Sequence, residues 1–294
     1  MILSEKSAAF QTSCTRWFDP LHLAKSALAQ AYRLMHHAEL GSTNDEALSI
    51  AAAGDAGRLW IVADEQTKGR GRHGRQWSSP PGNLYASLLL IDAAPAHKAP
   101  ELGFVAGVAL FHALRGVLGS DPLLCIKWPN DILYAGAKLA GILLESTQLT
   151  GGRFACVIGI GVNCCSHPAP ALYPATDLAE IGTLLSHRED VLLRLSECFV
   201  HWLGIWDRGR NFDAIRAEWL NHAGGIGMRI SVSTPSGPRD GIFETIDASG
   251  RLILNVDGEM LNLEAGDVFL SAPPIGALAG VQSAAPQPFR EEHR

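Results

Sequence analysis

Between Gln66 and Trp77 the chain reads Gln-Thr-Lys-Gly-Arg-Gly-Arg-His-Gly-Arg-Gln-Trp: four permanent cations, three glycines and no acid. The formal net charge of the whole chain is −6. A local positive field set against the global charge points to a dedicated anion site. Glycines between the arginines let the backbone reach φ > 0 and approach a ligand closely. The guanidinium groups can then wrap a phosphate or carboxylate with paired N–H donors. Taken alone, the segment fits equally a solvated basic loop or a weak nucleic-acid contact.

Four further constellations bear on chemistry. Ser42-Thr43-Asn44 opens a helix, either as a plain N-cap or as hydroxyls and an amide gathered at a helix mouth to bind a polar ligand head. Lys127-Trp128-Pro129-Asn130-Asp131 sets a lysine at the end of a buried strand. It reads either as a decorated turn stiffened by Pro129 or as an ammonium placed to neutralise charge that develops in acyl or phosphoryl chemistry. Lys138 through Glu145 carries Gly141 within a strand, a sign of close approach by another backbone or a ligand. Gly159-Ile160-Gly161-Val162-Asn163 ends a strand, but without a following helix and third glycine it is no dinucleotide fingerprint. No P-loop, Ser-His-Asp pattern or H-E-x-x-H is present, and the 11 histidines are scattered. His73, within the basic loop, reads as a ligand contact or a solvent-facing side chain.

Periodicity supplies the elements that must position these groups. Helices are expected at about 21–37, on Leu21, Leu28, Tyr32 and Met35, from Ser42 to Ala53, and at about 100–118, 187–207 and 212–221. Strands are expected at 58–63, 84–91, 123–127, 132–134, 138–144 and 154–162, with Ala135-Gly136-Ala137 as a hairpin turn. Beyond Gly224-Gly225 short alternating segments over 227–271 read as a small antiparallel barrel. The Ala-, Pro- and Gln-rich stretch 272–294 reads as a disordered tail.

Of 294 residues, 47% are hydrophobic and 18% charged, enough for a sizeable core. No run reaches the roughly 18 uninterrupted apolar residues of a membrane span. The N-terminus lacks a secretory pattern. The six cysteines form no C-x-x-C pair, so neither a zinc site nor a disulfide framework follows, and idle thiols in a reducing compartment are expected. The mild acidity argues against broad nucleic-acid binding.

In type and order, Ser42-Thr43-Asn44, Gln66–Trp77, Lys127–Asp131, Lys138–Glu145 and Gly159–Asn163 resemble the biotin–protein ligases, the biotin–[acetyl-CoA-carboxylase] ligase family, over about residues 35–222. The resemblance implies an α+β fold: a mixed sheet flanked by helices, of the class II synthetase-like biotin/lipoate ligase type, plus a small C-terminal SH3-like β-barrel. The implied organisation is an N-terminal extension 1–35, a catalytic domain 36–223, a barrel 224–271 and the tail 272–294. The implied reaction joins biotin to ATP, which brings Mg2+ with it, as biotinyl-5′-AMP. The biotinyl group then passes to a lysine of a biotin carboxyl carrier protein.

Roles follow by the same resemblance. Lys127, Arg70 and Arg72 would be catalytic. Ser42, Thr43, Asn44, Gln66, Gly69, Arg70, Gly71, Arg72, Lys127 and Gly141 would bind biotin. Arg72, Arg75, Trp77, Asn130, Lys138 and Asn163 would bind the nucleotide. No dedicated metal ligands are expected. The roughly 40 residues before Ser42 are too few for the winged helix of repressor-type members, so DNA binding is not expected. Nor is a membrane; the expected compartment is the cytoplasm, and a homodimer stays open. A lipoate–protein ligase shares the adenylation logic and is the nearest alternative. A non-catalytic anion or RNA clamp is a second, and it leaves Lys127–Asp131 unexplained.

Overall fold

The computed structural model describes residues 20–169, 174–183, 187–234, 237–264 and 266–270. Residues 1–19 and the expected tail lie outside the described residues. The elements run α1 (Lys25–Ala29), β1 (Arg33–Leu40), α2 (Thr43–Ala52), β2 (Leu59–Gln66), β3 (Leu84–Ile91), α3 (Glu101–Leu118), β4 (Leu124–Lys127), β5 (Asp131–Tyr134), β6 (Ala137–Gln148) and β7 (Phe154–Val162). Then come α4 (Leu178–Ile181), α5 (Arg188–Trp206), α6 (Phe212–Asn221) and strands β8 (Arg229–Thr234), β9 (Gly237–Ile246), β10 (Leu252–Val256), β11 (Glu259–Leu263) and β12 (Asp267–Leu270).

Seven strands form a mixed sheet in the order β1-β2-β3-β7-β6-β5-β4. Only β1 and β2 run parallel; each other neighbouring pair is antiparallel. Strand β3, third in that order, is buried on both faces, which is why it reads Leu-Tyr-Ala-Ser-Leu-Leu-Leu-Ile with almost no alternation. Register divides the two faces. Trp60, Leu88 and Ile158 stand side by side on one face and belong to the large core, with α3, α5 and α6 packed over them. Trp60 meets Phe199 of α5 edge-on at 5.3 Å, and Phe104 of α3 meets Trp219 of α6 at 5.7 Å. The opposite face carries α2 over a smaller core of Ala47, Ala51, Leu59, Ile61, Leu89, Ala155 and Val157.

Helix α3 is long and apolar enough to cross a membrane, but two thirds of it (67%) is buried within the molecule. Its apolar character therefore serves the core. The Ala135-Gly136 turn forms as expected, with positive φ at both residues, as a tight hairpin between β5 and β6 requires. Among the described residues, four cysteines are free. Burial pushes the Cys164 thiol up to about 12 and those of Cys125, Cys156 and Cys198 up to about 11, so they are inert thiols.

The expectation of a helix over 21–37 fails. Only Lys25–Ala29 is helical, Ala31 sits at φ 60°, and Arg33–Leu40 is the edge strand β1. Leu28 and Met35, which suggested the helical stripe, are exposed at 56% and 37%. Parallel pairing with β2 decides this segment, and no local pattern reports that pairing. The expected junction at 35/36 consequently falls inside a strand.

The C-terminal strands form a five-stranded antiparallel sheet in the order β11-β10-β9-β8-β12. It is tied to the larger unit by specific bonds. Trp128 Nε1 donates to Gly250 O at 3.1 Å, and Arg216 Nε donates to Ile246 O at 2.8 Å and Asp247 O at 3.0 Å. The connecting segment runs beside β4, with Ile126 N donating to His222 O and Gly224 N to Ile126 O, both at 2.8 Å.

Candidate active site

On the α2 side of the sheet, three rows of directly paired residues lead from core to pocket. The first is Leu59, Leu89, Val157 and Glu145; the next is Ile61, Ser87, Gly159 and Leu143; the last is Ala63, Tyr85, Gly161 and Gly141. Side chains shrink towards the strand ends, and a cavity of about 330 Å³ opens above the glycines, in the range of small-molecule sites. Among the described residues it is lined by five cations, Arg70, Arg72, Arg75, Lys127 and Lys138, and one carboxylate, Asp131.

The glycines of β6 and β7 make room for particular side chains. A methyl group at Gly161 would fall 2.6 Å from the Trp77 ring, one at Gly141 would fall 3.1 Å from it, and one at Gly159 would collide with the Asn44 amide. Trp77 thus lies across the Gly141–Gly161 pair, and Lys138 Nζ stands 5.2 Å from its ring centroid in a cation–π contact. The close approach expected at these glycines is made by the protein's own Asn44 and Trp77.

The basic loop folds back on itself. Gly71 N donates to Arg75 O at 2.7 Å and Trp77 N to Gly69 O at 3.0 Å, with His73 and Gly74 in the left-handed region at the tip. His73 is exposed. Gly69 does not line the cavity. Its role is closure of this hairpin, since a methyl there would sit 2.6 Å from Trp77 O and Ser79 Oγ. Arg72 Nη1 donates to Asn130 Oδ1 at 3.3 Å and to Gly266 O at 3.2 Å, linking the loop to the 127–131 turn and to the C-terminal sheet. Arg75 Nε donates to Arg72 O at 3.3 Å.

Arg70 is held on both sides. Its Nη1 donates to the Asp45 carboxylate at 2.7 and 2.6 Å, and its Nη2 to both oxygens of Glu145 at 3.1 Å. The Asp45 hydrogen bond, then the Glu145 charge, raise its pKa further against the effect of burial.

Helix α2 enters as the sequence suggests. Ser42 caps it, its Oγ accepting from Asp45 N at 3.4 Å, with Asp45 and Glu46 in the first turn. Ser42, Thr43 and Asn44 are nonetheless buried at the pocket wall, so the cap and the binding surface are the same residues. Gln66 Oε1 accepts from Thr43 N at 2.8 Å and Thr43 Oγ1 at 3.1 Å, while its Nε2 donates to Ser79 Oγ at 3.1 Å.

At the other end, β4 delivers Lys127 to the pocket, 8% exposed. Its Nζ lies 3.3 Å from Asp131 Oδ2, and Lys138 Nζ lies 2.6 Å from Asp131 Oδ1. One carboxylate therefore aims two ammonium groups at the same space. The Trp128–Pro129 bond is cis, and the Trp128 ring turns away into the core rather than lining the cavity. Asn130 Nδ2 donates to Ile142 O at 2.7 Å, and Asn163 Nδ2 to Thr176 O at 3.0 Å, so both lining amides are fixed by backbone carbonyls.

Sequence reasoning missed Ser87, Ser79, Asp45 and Glu145 as parts of this site. Ser87 left a signal, being the one serine inside the apolar run of β3. The two acids left none, since a first-turn Asp and a strand-end Glu are ordinary in those places.

A family model described as the biotin/lipoate A/B protein ligase family matches residues 41–163, and one described as the biotin protein ligase C-terminal domain matches residues 225–271. The chain is 41% identical to a biotin–[acetyl-CoA-carboxylase] ligase of Paracoccus denitrificans, covering 79% of this chain and 98% of that one. Among solved structures it is similar to the biotin protein ligase from Aquifex aeolicus in complex with biotin and ATP, with TM-score 0.67 and 25% identity over 81% of this chain and 98% of that one. The biotin protein ligase from Leishmania major in complex with biotinyl-5-AMP aligns with TM-score 0.56 and 25% identity, over 79% of this chain and 99% of that one.

Proposed function

The chain belongs to the biotin/lipoate A/B protein ligase family, and on that premise we propose how its pocket divides the work of joining biotin to ATP. The activity is ATP-dependent activation of biotin and its transfer to protein, as a biotin–[acetyl-CoA-carboxylase] ligase. One observation carries the assignment of chemistry: a cavity of about 330 Å³ with five lining cations against one carboxylate. A carboxylate and a triphosphate repel each other, and attack requires their atoms at roughly 3–3.5 Å. Fixed cations offset that repulsion and stabilise the charge that builds on phosphorus in the transition state.

In the first step a biotin carboxylate oxygen attacks the α-phosphorus of MgATP, and pyrophosphate leaves. Lys127, immobilised by Asp131 at a strand end, bridges the carboxylate and the α-phosphate. Lys138 and Arg72 hold the nucleotide side, with Asn130 and Asn163 as fixed amides and Trp77 beside the base. Thr43, Asn44 and Gln66 receive the ureido end of biotin, and Gly141 lies along its chain. In the second step a lysine amine of a biotin carboxyl carrier protein attacks the mixed anhydride, an amide forms and AMP leaves. The hairpin of residues 69–77 covers the adenylate from water meanwhile. Arg72 bonds to Gly266 O, which supports a part for the C-terminal sheet in holding that cover shut. Magnesium arrives with the nucleotide, and we assign the reaction to the cytoplasm, where carrier and ATP meet.

The test is mass spectrometry of a biotin carrier domain incubated with this protein, biotin and MgATP. One added biotinyl group on a lysine is expected, and lipoate in place of biotin should leave the carrier unmodified. Modification by lipoate alone would reverse the choice of acid. Arg72→Ala should release adenylate to solution faster than wild type, by roughly tenfold if its bonds hold the cover; unchanged retention would remove it from the cover.

A further inference from the structure

Glu145 does not line the cavity, yet it touches two residues that do. Its Oε2 accepts from Asn44 Nδ2 at 2.6 Å, and both its oxygens accept from Arg70 Nη2 at 3.1 Å. The ion pair is partly exposed, with the Glu145 side chain at 29% and Arg70 at 33% accessibility, so it stabilises the fold little. Its geometric consequence is larger. An ionised carboxylate only accepts, so Asn44 must present its NH2 to Glu145 and its Oδ1 away from it. Ser87 Oγ lies 2.6 Å from that Oδ1, which can only accept, so the single Ser87 proton points there; Thr43 Oγ1 lies 2.7 Å from Ser87 Oγ on its other side. The Thr43 proton has Ser87 Oγ at 2.7 Å and Gln66 Oε1 at 3.1 Å as its two acceptors, and the Gln66 oxygen is oriented by the Thr43 backbone N–H with either. The chain of bonds thus has a defined direction, anchored by an obligate acceptor at one end and an obligate donor at the other. What the hydroxyl of Thr43, which lines the cavity, has left to offer it is lone pairs, which suits a ligand head bearing N–H groups.

We propose that Glu145 is a positioning residue that sets the hydrogen-bond polarity of this wall. It acts through Asn44 on the hydroxyls and through Arg70 on the root of the basic loop. The proposal rests on the reading of the wall as the site of the biotin ureido group. Gly159 is part of the same device, since only a residue without a side chain leaves the Asn44 amide its place between β7 and Glu145. Asp45 completes the grip on Arg70, so the hairpin root is pinned to α2 and β6 at once.

Glu145→Gln keeps size and shape but replaces one acceptor oxygen with a donor facing Asn44 or Arg70. Two of the strongest bonds in the wall are then lost or reversed, and hydrogen bonds to charged groups imply a rise in KM for biotin of roughly tenfold or more. The kcat and the KM for ATP should stay within about twofold, a split that a merely structural role would not give. Arg70→Ala combined with Glu145→Gln should be no worse than the more damaging single change, because the two act as one unit. Limited trypsin digestion gives a readout independent of turnover: cleavage after Arg70, Arg72 and Arg75 should be faster in Glu145→Gln than in wild type. An unchanged KM for biotin, a parallel loss of kcat and melting temperature with KM constant, or additive effects in the double variant would each overturn the proposal. Wild-type protein that binds and turns over no biotin would refute the functional reading instead, and the digestion would still decide whether the clasp exists.

Discussion

On the helix-packed face of the sheet, Trp60, Leu88 and Ile158 form one row across three strands; one residue away on each strand, the opposite face carries Ile61, Ser87 and Gly159. The first row is filled with large apolar side chains under α5 and α3. The second yields its volume to Asn44 and to a hydroxyl network. A strand's period of two lets the same eight or nine residues serve both purposes without conflict. Burial of large apolar groups, each contributing about 1.5–3 kcal/mol, is concentrated on one side. The opposite face carries only a smaller core under α2, and beyond it, towards the strand ends, charge can be gathered and a ligand admitted. Stability and chemistry should therefore respond to different substitutions on the same strands.

Lys127→Ala should show the largest effect. Adenylate formation from biotin and ATP should fall by about 10²–10³-fold or more. The melting temperature should hold within a few degrees, because Asp131 keeps Lys138 as a partner at 2.6 Å. Pyrophosphate release measures the first and calorimetry the second. Wild-type turnover would strip Lys127 of its role, and a collapse of the fold would blur the division between faces.

Phe199→Ala tests the other side. It removes the ring packed on Trp60 and should cost about 3–5 kcal/mol in urea unfolding. The biotin KM of the folded fraction should not move; a large shift would mean that the two faces are coupled. Gly159→Ala is the converse probe. The added methyl collides with the Asn44 amide, so biotin KM should rise by roughly tenfold, with a stability loss of about 1–2 kcal/mol. Isothermal titration and urea melts separate these quantities.

The smallest effect is expected from pH. Behind the helix-packed face, Glu218 Oε1 lies 2.7 Å from His112 Nε2 and 3.1 Å from His222 Nε2. Burial alone would raise the Glu218 carboxyl, but hydrogen bonds from His112, His222 and Asn221 outweigh it and leave it below its ordinary value. Burial holds the His112 imidazole below its ordinary value, against the pull of Glu218. Both folded values are depressed, so on acidification the unfolded chain takes up protons first. This contribution is fully present above the unfolded histidine value of about 6.5 and is lost first through His112. Glu218 follows below about 4.3, the unfolded carboxyl value. Glu218→Gln should shallow the acid limb of stability, read as urea midpoints over that range, with activity at neutral pH unchanged. An unaltered limb would exclude the cluster as its source.

Much of this was legible in the chain. The strands carrying long apolar runs, the 101–118 helix, the β5–β6 hairpin and the two late helices each announce themselves by period or by turn residues. Each of the five motifs that carry the family resemblance sends residues to one cavity, and of the expected site residues only Gly69, which closes the hairpin, lies off its lining. The segment 21–37 was misleading, because an edge strand leaning on a parallel neighbour has no local signature. The partners of Arg70 were invisible for a related reason: Asp45 and Glu145 lie 25 and 75 residues away in sequence.

The sequence by itself determined which groups were available. Permanent cations spaced by glycine, a lysine at a strand end and small residues where strands end are properties of residue type and order, and they define an anion-handling pocket. Only the tertiary structure decided which way each group points. It gave the glycines of β6 and β7 to Asn44 and Trp77, committed Arg70 to two acids, and joined Arg72 to the C-terminal sheet. Hydrogen-bond direction and close packing depend on atoms brought together from distant strands, and that information exists only once the sheet has assembled in register.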